Sequence, residues 1–139
     1  MSPEVGYPDP VELLKFGPVA SITIGATQSR MRQARALVDT GAQSSFIHEQ
    51  LSDDLGLLRV DRRDVSNIER TRTYEVVEAY IVCGDLDIPS PRQFVAYPIN
   101  HRMIGDRFNV ILGRDILANL DLHYRGLTGS VSLRRPHIR

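Results

Sequence analysis

Apolar residues alternate with polar ones along several short segments of this chain, which is the two-residue period of a half-buried β-strand. The clearest segment runs from Tyr74 to Cys83, where an apolar residue recurs at every second position from Val77 onward. Val110–Leu112 is wholly apolar, as is typical of a strand covered on both faces. The predicted strands are Val19–Ile24, Gln33–Val38, Tyr74–Cys83, Phe94–Tyr97, Val110–Leu112, Leu120–Tyr124 and Ser130–Leu133.

Helical spacing is confined to short segments. Ile47, Leu51 and Leu55 lie four residues apart, so they share one face of a helix predicted over His48–Leu55. Gly56 stands where a left-handed C-terminal cap is favoured. We therefore expect this helix to end at Leu55.

The organisation along the chain is that of one small domain after an irregular leader. Met1–Pro18 is rich in proline and is predicted to be irregular, apart from one helical turn at Val11–Phe16. Residues 19–139 are predicted to form the domain. Within it, Asp115 is predicted to cap a second brief helix that ends at Ala118. Many short strands and two short helices favour an all-β barrel or folded sheet over a parallel sheet with long helices.

The charge balance and the single cysteine narrow the class of protein. The chain has 17 basic and 17 acidic residues among 139, so no electrostatic argument favours nucleic acid or a membrane surface as a partner. A net charge near zero permits self-association. Cys83 is alone, on an apolar strand face, so we expect a buried thiol and no disulfide. With no signal peptide and no apolar run long enough to span a membrane, a cytoplasmic protein is the simplest expectation.

Two other kinds of site are poorly supported by the sequence. Ser44, Ser45 and His48 are close together, but the glycine pattern of a nucleophile elbow is missing. A structural role at a strand end is therefore the better interpretation of the two serines. The histidines have no metal-ligand spacing, so neither a metal nor another cofactor is expected. The histidines are His48, His101, His123 and His137.

The segment Ala36–Ala42 carries the candidate chemistry. In it an apolar strand runs directly into the sequence Asp39-Thr40-Gly41. The apolar approach implies a buried strand end, where a lone carboxylate is costly to ionise. Gly41 permits a tight turn and lets another backbone or a substrate come close.

Peptide hydrolysis by carboxylates needs two of them, which share one proton and hold a water between them. The ionised carboxylate takes a proton from the water, and the protonated one polarises the scissile carbonyl. The chain has one Asp-Thr/Ser-Gly sequence, at Asp39. A twofold dimer places identical residues across its axis, so a single motif predicts a homodimer.

A second segment, Val110-Ile111-Leu112-Gly113-Arg114-Asp115, begins 71 positions after Asp39. Together the two segments resemble the retroviral-like aspartic peptidases, or retropepsins, and are closer to cellular and bacterial members than to viral ones. In order and spacing of elements the resemblance extends from about Val19 to Leu133. It implies an all-β retropepsin-like acid protease fold. Each chain then forms one small closed barrel-like half, with one short helix in its C-terminal half and one catalytic motif.

The resemblance also implies roles for individual residues. Asp39 is similar to the catalytic acid, and Thr40 to the residue that locks the two active-site loops together across the dimer axis. Gly41 is similar to the residue that presents its carbonyl to substrate. A hairpin that closes over substrate, called the flap below, is expected at Val65–Tyr74. The expected substrate-binding residues are Ala42, Gln43, Asn67, Ile68, Glu69, Arg70 and Ile111.

The sequence departs from the family pattern in two places, at Gln43 and in the expected flap. Viral members carry an acidic residue at the position of Gln43, where it pairs with the arginine that matches Arg114. Here we expect Arg114 to bond to Gln43 or to form a salt bridge elsewhere. The expected flap lacks glycine, and Asn67 is its residue best suited to a positive φ.

The resulting hypothesis is a homodimeric aspartic endopeptidase that cleaves polypeptides with an activated water and no cofactor. Two alternatives stay open. The glycine-free flap is compatible with a dimeric binding or scaffold module that has little or no turnover. The leader, Met1–Pro18, or weak dimerisation is compatible with a dormant peptidase.

Overall fold

The structure of the chain is a computed structural model, and it describes residues 10–66, 68–99 and 107–136. Short strands dominate these residues, and three short helices interrupt them. The helices are α1 Pro10–Phe16, α2 Glu49–Leu55 and α3 Arg114–Leu117. The strands are β1 Val19–Thr27, β2 Arg30–Val38, β3 Phe46–His48, β4 Leu58–Ser66, β5 Thr71–Cys83, β6 Leu86–Tyr97, β7 Val110–Leu112, β8 Asp121–Arg125 and β9 Ser130–Arg134.

Six of the strands close into a barrel. They pair in the order β1-β2-β7-β3-β6-β5, and pairing between β5 and β1 completes the ring. β5 is long enough to serve two neighbours on one edge: residues 80–83 pair with β1, and residues 71–78 pair with β4. The hairpin of β4 and β5 therefore extends beyond the barrel. The predicted all-β, barrel-like fold is confirmed.

The core of the barrel follows from the alternation of side chains along its strands. The apolar face predicted for β5 is confirmed, since Val77, Ala79, Ile81 and Cys83 are all buried. They pack with Phe94 of β6, which is fully buried. Burial of one large apolar side chain contributes about 1.5–3 kcal/mol, so such a face holds β5 firmly against the barrel.

A second apolar cluster lies on the other face of β2 and β7. Val19, Ile99 and Phe108 form it, and Leu37 and Ile111 pack against it. The neighbouring residues on β2 and β7 face the main core instead. Both faces of these two strands are thus covered, which agrees with the apolar run that predicts β7.

β7 occupies a special place between strands that flank the Asp39 loop, defined here as residues 39–45. It runs parallel to β2, which enters the loop, and antiparallel to β3, which leaves it. Gly113 directly follows β7, at a point where the backbone of the Asp39 loop is very close. A Cβ there would lie 2.4 Å from the Ser44 carbonyl oxygen and 2.9 Å from that of Ala42. Backbone atoms do not yield easily, so this position requires glycine.

The helices agree in part with their prediction. α2 ends at Leu55, and Gly56 adopts the predicted left-handed conformation, with φ of 63°. The prediction that Asp115 caps α3 is wrong. Gly113 is the capping residue, and α3 starts at Arg114, so Asp115 lies inside its first turn. α3 is the expected short helix of the C-terminal half.

Two strands escape the sequence pattern. β4 is not among the strands predicted from the sequence, yet it pairs along its length with β5. Eight of its nine side chains are exposed, so no hydrophobic alternation marks it. β3 is only three residues long. α1 agrees with the helical turn predicted at Val11–Phe16, while the division into leader and domain stays a prediction.

We predict that the Cys83 thiol is unreactive in the folded protein. Burial raises its pKa to about 12, so almost no thiolate is present at pH 8. A thiol-specific reagent should label the native protein at pH 8 at least about 100-fold more slowly than the urea-unfolded protein. Labelling can be followed by intact mass. Equal rates in both states would show that the strand face carrying Cys83 opens readily.

We further predict that Gly113→Ala destabilises the fold by about 3 kcal/mol, because the new methyl group collides with backbone on the Asp39 loop. Gly126→Ala is the matched control, since a Cβ there meets nothing nearer than Tyr124 Cε1 at 3.6 Å. The control should stay within about 0.5 kcal/mol of the parent. Urea unfolding measures both variants, and equal stability would contradict the crowding at Gly113.

Candidate active site

Asp39 sits at the point where β2 leaves the barrel. Its N–H donates to the Leu112 carbonyl oxygen at 2.9 Å, which ties the start of the loop to β7. The Ala42 N–H donates to the Asp39 carbonyl oxygen at 3.1 Å and closes a tight turn. The Gly41 N–H donates to Asp39 Oδ1 at 3.0 Å. The carboxylate is thereby oriented by its own loop.

The exposure of Asp39 corrects one expectation. The apolar lead-in predicts a buried carboxylate, and Val38 before it is indeed only 4% exposed. Asp39 itself is only half-buried, and Thr40 and Gly41 are exposed. The turn carries the loop away from the barrel, so the carboxylate lies at a surface of the single chain. No second carboxylate in the described part of the chain bonds to it.

Gly41 owes its place to a close approach, because its φ is not in the left-handed region. A Cβ on it would lie 3.2 Å from Asp39 Oδ1, the oxygen that its own N–H contacts. Glycine therefore lets the amide approach the carboxylate without crowding it.

Arg114 clamps the Asp39 loop from the start of α3. Its Nη1 donates to the Thr40 carbonyl oxygen at 2.9 Å, and its backbone N–H donates to the Ala42 carbonyl oxygen at 2.8 Å. Among the described residues the Arg114 side chain bonds neither to Gln43 nor to a carboxylate, so the expectation of either contact is wrong there. A backbone carbonyl takes the place of the acidic partner, while Gln43 is exposed.

Ser45 is the buried anchor of the same loop, with 1% of its surface exposed. Its Oγ donates to Asp115 Oδ1 at 2.6 Å and accepts the Gly113 N–H at 2.9 Å. Its own N–H donates to Asp115 Oδ2 at 3.1 Å. The structural interpretation of Ser45 is confirmed, although no sequence pattern identified Asp115 as its partner. The signal available in the sequence was a hydroxyl residue directly before an apolar strand. Such a hydroxyl is expected to be buried, and a buried hydroxyl needs hydrogen-bond partners.

The predicted flap is a hairpin in the structure. Ser66 pairs with Thr71 across its end, and the two hydroxyl groups are 2.6 Å apart. Asn67 lies outside the described residues, so its predicted positive φ stays a prediction. The other expected contact residues of the tip are all exposed. They are Ile68, Glu69 and Arg70.

The β4 strand of this hairpin is tied to the Asp39 loop. Arg63 Nη1 donates to Ser44 Oγ at 2.8 Å. Ser44 belongs to the same loop as Asp39, so this hydrogen bond connects β4 of the hairpin to the loop that carries the candidate catalytic carboxylate.

Ile111 is the predicted substrate-binding residue that lies on β7. It pairs with Leu37 in the parallel register of β7 and β2. Its side chain packs against the cluster of Val19, Ile99 and Phe108. Its predicted contact with substrate stays a prediction.

Other chemistry finds little support in the described ranges. Residues 10–66, 68–99 and 107–136 contain no cluster of three His, Cys, Asp or Glu side chains suited to a metal ion. His48 Nδ1 accepts the Ile99 N–H at 3.1 Å, so this nitrogen holds a loop in place. No helix within these ranges is both long and apolar enough to cross a membrane.

Comparisons with known proteins agree with this geometry. The family described as "Aspartyl protease" matches residues 20–116, which include Asp39 and Arg114. No curated protein sequence matches the chain.

Solved structures show the same fold. The EIAV protease complexed with the inhibitor HBY-793 aligns with a TM-score of 0.50 and 20% identity, covering 73% of this chain and 85% of that one. The retroviral protease-like domain of Ddi1 from Leishmania major aligns with a TM-score of 0.50 and 15% identity, covering 84% and 93%. The predicted retropepsin-like fold is confirmed.

We predict that Ser45→Ala destabilises the protein by about 2–3 kcal/mol, because it leaves the buried Gly113 N–H without an acceptor and removes the hydroxyl bond to Asp115 Oδ1. Ser44→Ala is the control one position earlier, since within the described residues the Ser44 hydroxyl bonds only to Arg63, at an exposed site. The control should cost less than about 1 kcal/mol. Thermal unfolding compares the two, and similar losses would contradict the anchoring role of Ser45.

Proposed function

We propose that this chain, which belongs to the aspartyl protease family, is an endopeptidase that hydrolyses polypeptides through a water held between two Asp39 carboxylates of a homodimer. The observation that carries the proposal is the position of Asp39. Its carboxylate is oriented by Gly41 at the accessible end of a buried strand, and no second carboxylate of the described chain bonds to it. In the proposal, each chain supplies one of the two catalytic carboxylates.

The proposed reaction uses one ionised and one protonated Asp39. The ionised carboxylate removes a proton from the water as the water oxygen attacks the scissile carbonyl carbon. The protonated partner donates its proton to the carbonyl oxygen, which gives a neutral tetrahedral intermediate. When this intermediate collapses, the C–N bond breaks and the leaving nitrogen takes the proton from the protonated carboxylate. One hydroxyl proton of the intermediate passes to the other carboxylate, which restores the pair with one shared proton. Water is the nucleophile, so no covalent acyl-enzyme forms.

The surroundings of Asp39 suit a group that must keep its orientation through this cycle. The Gly41 N–H holds one carboxylate oxygen, and Arg114 holds the loop through the Thr40 carbonyl. These contacts form within one chain, so they are in place before a substrate or partner arrives. Preorganised contacts of this kind lower the cost of reaching the transition state.

Thr40 and Gly41 are exposed, and this supports the roles proposed for them in the assembled site. In the proposal the Thr40 side chain bonds to the partner's loop across the twofold axis, and the Gly41 carbonyl accepts a hydrogen bond from substrate. Ala42 and Gln43 follow on the same loop and are proposed to contact substrate. Asn67, Ile68, Glu69 and Arg70 of the flap, together with Ile111, complete the proposed set.

One observation favours a second function. The flap tip carries no glycine, and Ile68 there is fully exposed. A tip with less conformational freedom closes over substrate less readily, as in a dimeric module that binds polypeptides without cutting them. A cleavage assay separates the two functions.

We predict that Asp39→Asn lowers peptide cleavage at least about 100-fold, because an amide can neither accept nor return the proton. Asp53→Asn is the matched control on the exposed face of α2 and should cleave like the parent. A diverse peptide library, incubated over a pH series, is read by mass spectrometry for new termini. Because the pair must share one proton, the activity should be highest at mildly acidic pH.

Two results would contradict this proposal. Cleavage by Asp39→Asn at the parent rate would remove Asp39 from catalysis. An absence of new termini at every pH, with peptide still bound, would favour the binding module.

A further inference from the structure

A pocket of about 590 Å³ opens beside the Asp39 loop. Its walls come from four parts of the fold: the loop itself, β4, β6 and the start of α3. Three arginines from three different elements line it, namely Arg63, Arg92 and Arg114. These residues are far apart in the sequence, so only the fold brings them to one place.

The lining of this pocket has an excess of positive charge. Among the described residues, Asp115 is the one carboxylate that lines it. Both of its oxygens already accept hydrogen bonds, Oδ1 from the Ser45 hydroxyl and Oδ2 from the Ser45 N–H. Asp115 therefore serves the loop anchor and is poorly placed to neutralise three guanidinium groups.

The three guanidinium groups keep most of their donor capacity. Arg63 bonds to the Ser44 hydroxyl and Arg114 to the Thr40 carbonyl. Arg92 bonds to the Asn119 side-chain oxygen at 3.1 Å. Each of these acceptors is neutral, and no carboxylate within the described ranges pairs with any of the three. A guanidinium carries five N–H donors, so most of them stay available to a ligand.

Arg92 is half-buried in the pocket wall, whereas Arg63 and Arg114 are exposed. The Nε of Arg92 is buried, and no hydrogen-bond acceptor in the described structure contacts it. A buried donor without a partner costs free energy, and native structures rarely leave one unexplained.

The pocket adjoins the site of the proposed reaction on two sides. Arg114 holds the carbonyl of Thr40, the residue after Asp39, and Arg63 lies on the strand that leads into the flap. A polypeptide bound between the flap and the Asp39 loop would run past the mouth of the pocket. Successive side chains of an extended strand point to opposite faces, so one side chain near the scissile bond can enter it.

We propose that this pocket is a subsite for a carboxylate side chain, so that the enzyme selects polypeptides with Asp or Glu at one fixed position near the scissile bond. The inference rests on the proposed peptidase function, because it names the substrate class of that same site. Planar guanidinium groups bind carboxylates with two parallel hydrogen bonds, and a half-open pocket suits a side chain that enters from an extended backbone.

Library cleavage by the parent protein tests the proposal first. Asp and Glu should be enriched at one fixed position relative to the new termini. For a cleaved peptide, replacement of that Glu by Gln should lower kcat/KM roughly tenfold, because the charge-assisted hydrogen bonds are lost. Cleavage without an acidic preference at any position would overturn the subsite and leave the peptidase proposal intact.

Charge reversal then tests the assignment to this pocket. Arg63→Glu should abolish the preference for Glu over Gln and favour Lys at the same position. Arg62→Glu is the matched control, because Arg62 is the next residue on β4, is 75% exposed and lies near Glu75 instead of the pocket. The control should keep the parent's preference. An unchanged preference in Arg63→Glu, or the same change in both variants, would contradict the assignment.

A binding experiment keeps the test independent of turnover. The probes are fluorescent peptides that differ only in a central Glu, Gln or phosphoserine, and the protein is Asp39→Asn. Glu should bind roughly tenfold more tightly than Gln, and Arg63→Glu in the same background should remove the difference. A Glu preference without any cleavage by the parent would sustain the subsite and refute the peptidase. Equal binding of Glu and Gln would refute the subsite, and a preference for phosphoserine alone would replace the carboxylate by a phosphate ligand.

Discussion

The Ser45 hydroxyl donates to the Asp115 carboxylate and accepts the Gly113 N–H, and these two bonds join segments 70 and 68 positions apart. Only glycine fits at position 113, since a Cβ there would lie 2.4 Å from the Ser44 carbonyl oxygen. The contact therefore depends on both partners: a hydroxyl that can donate and accept, and a backbone with no side chain in the way. It holds β7 in register between β2 and β3 and sets the path of residues 39–45.

The geometry of the candidate site depends on these hydrogen bonds of Ser45. Arg114 follows Gly113, so the anchor also delivers its guanidinium to the Thr40 carbonyl. The loop is thus held from within the chain, while Thr40 and Gly41 stay exposed. A lone carboxylate would be costly to bury completely. At the surface of the chain, an oriented carboxylate without a partner is tolerated. This explains physically why one chain carries a complete loop and only half of the proposed chemistry.

Much of the barrel could be predicted from the sequence, because burial on one face leaves a period that can be read. β5 shows this period directly, whereas β7 shows the continuous apolar run of a strand covered on both faces. Gly56 marks the end of α2 through the conformation that only glycine adopts easily. β4 could not be found in this way, since its exposed side chains carry no such period. The partners of Arg114 and Asp115 could not be predicted for another reason. Arg114 bonds to a backbone carbonyl and Asp115 bonds to Ser45, and neither contact leaves a local pattern in the sequence. The half-exposed position of Asp39 likewise follows from the turn after β2 and not from the apolar residues before it.

The central claim is that two Asp39 residues from two chains act together, and subunit mixing tests it most directly. Parent and Asp39→Asn chains are unfolded together in equal amounts, refolded and assayed at constant total protein. If each active site needs two intact chains, random pairing leaves about one quarter of the activity of the parent alone. If one chain suffices, about one half remains, and that result would contradict the account.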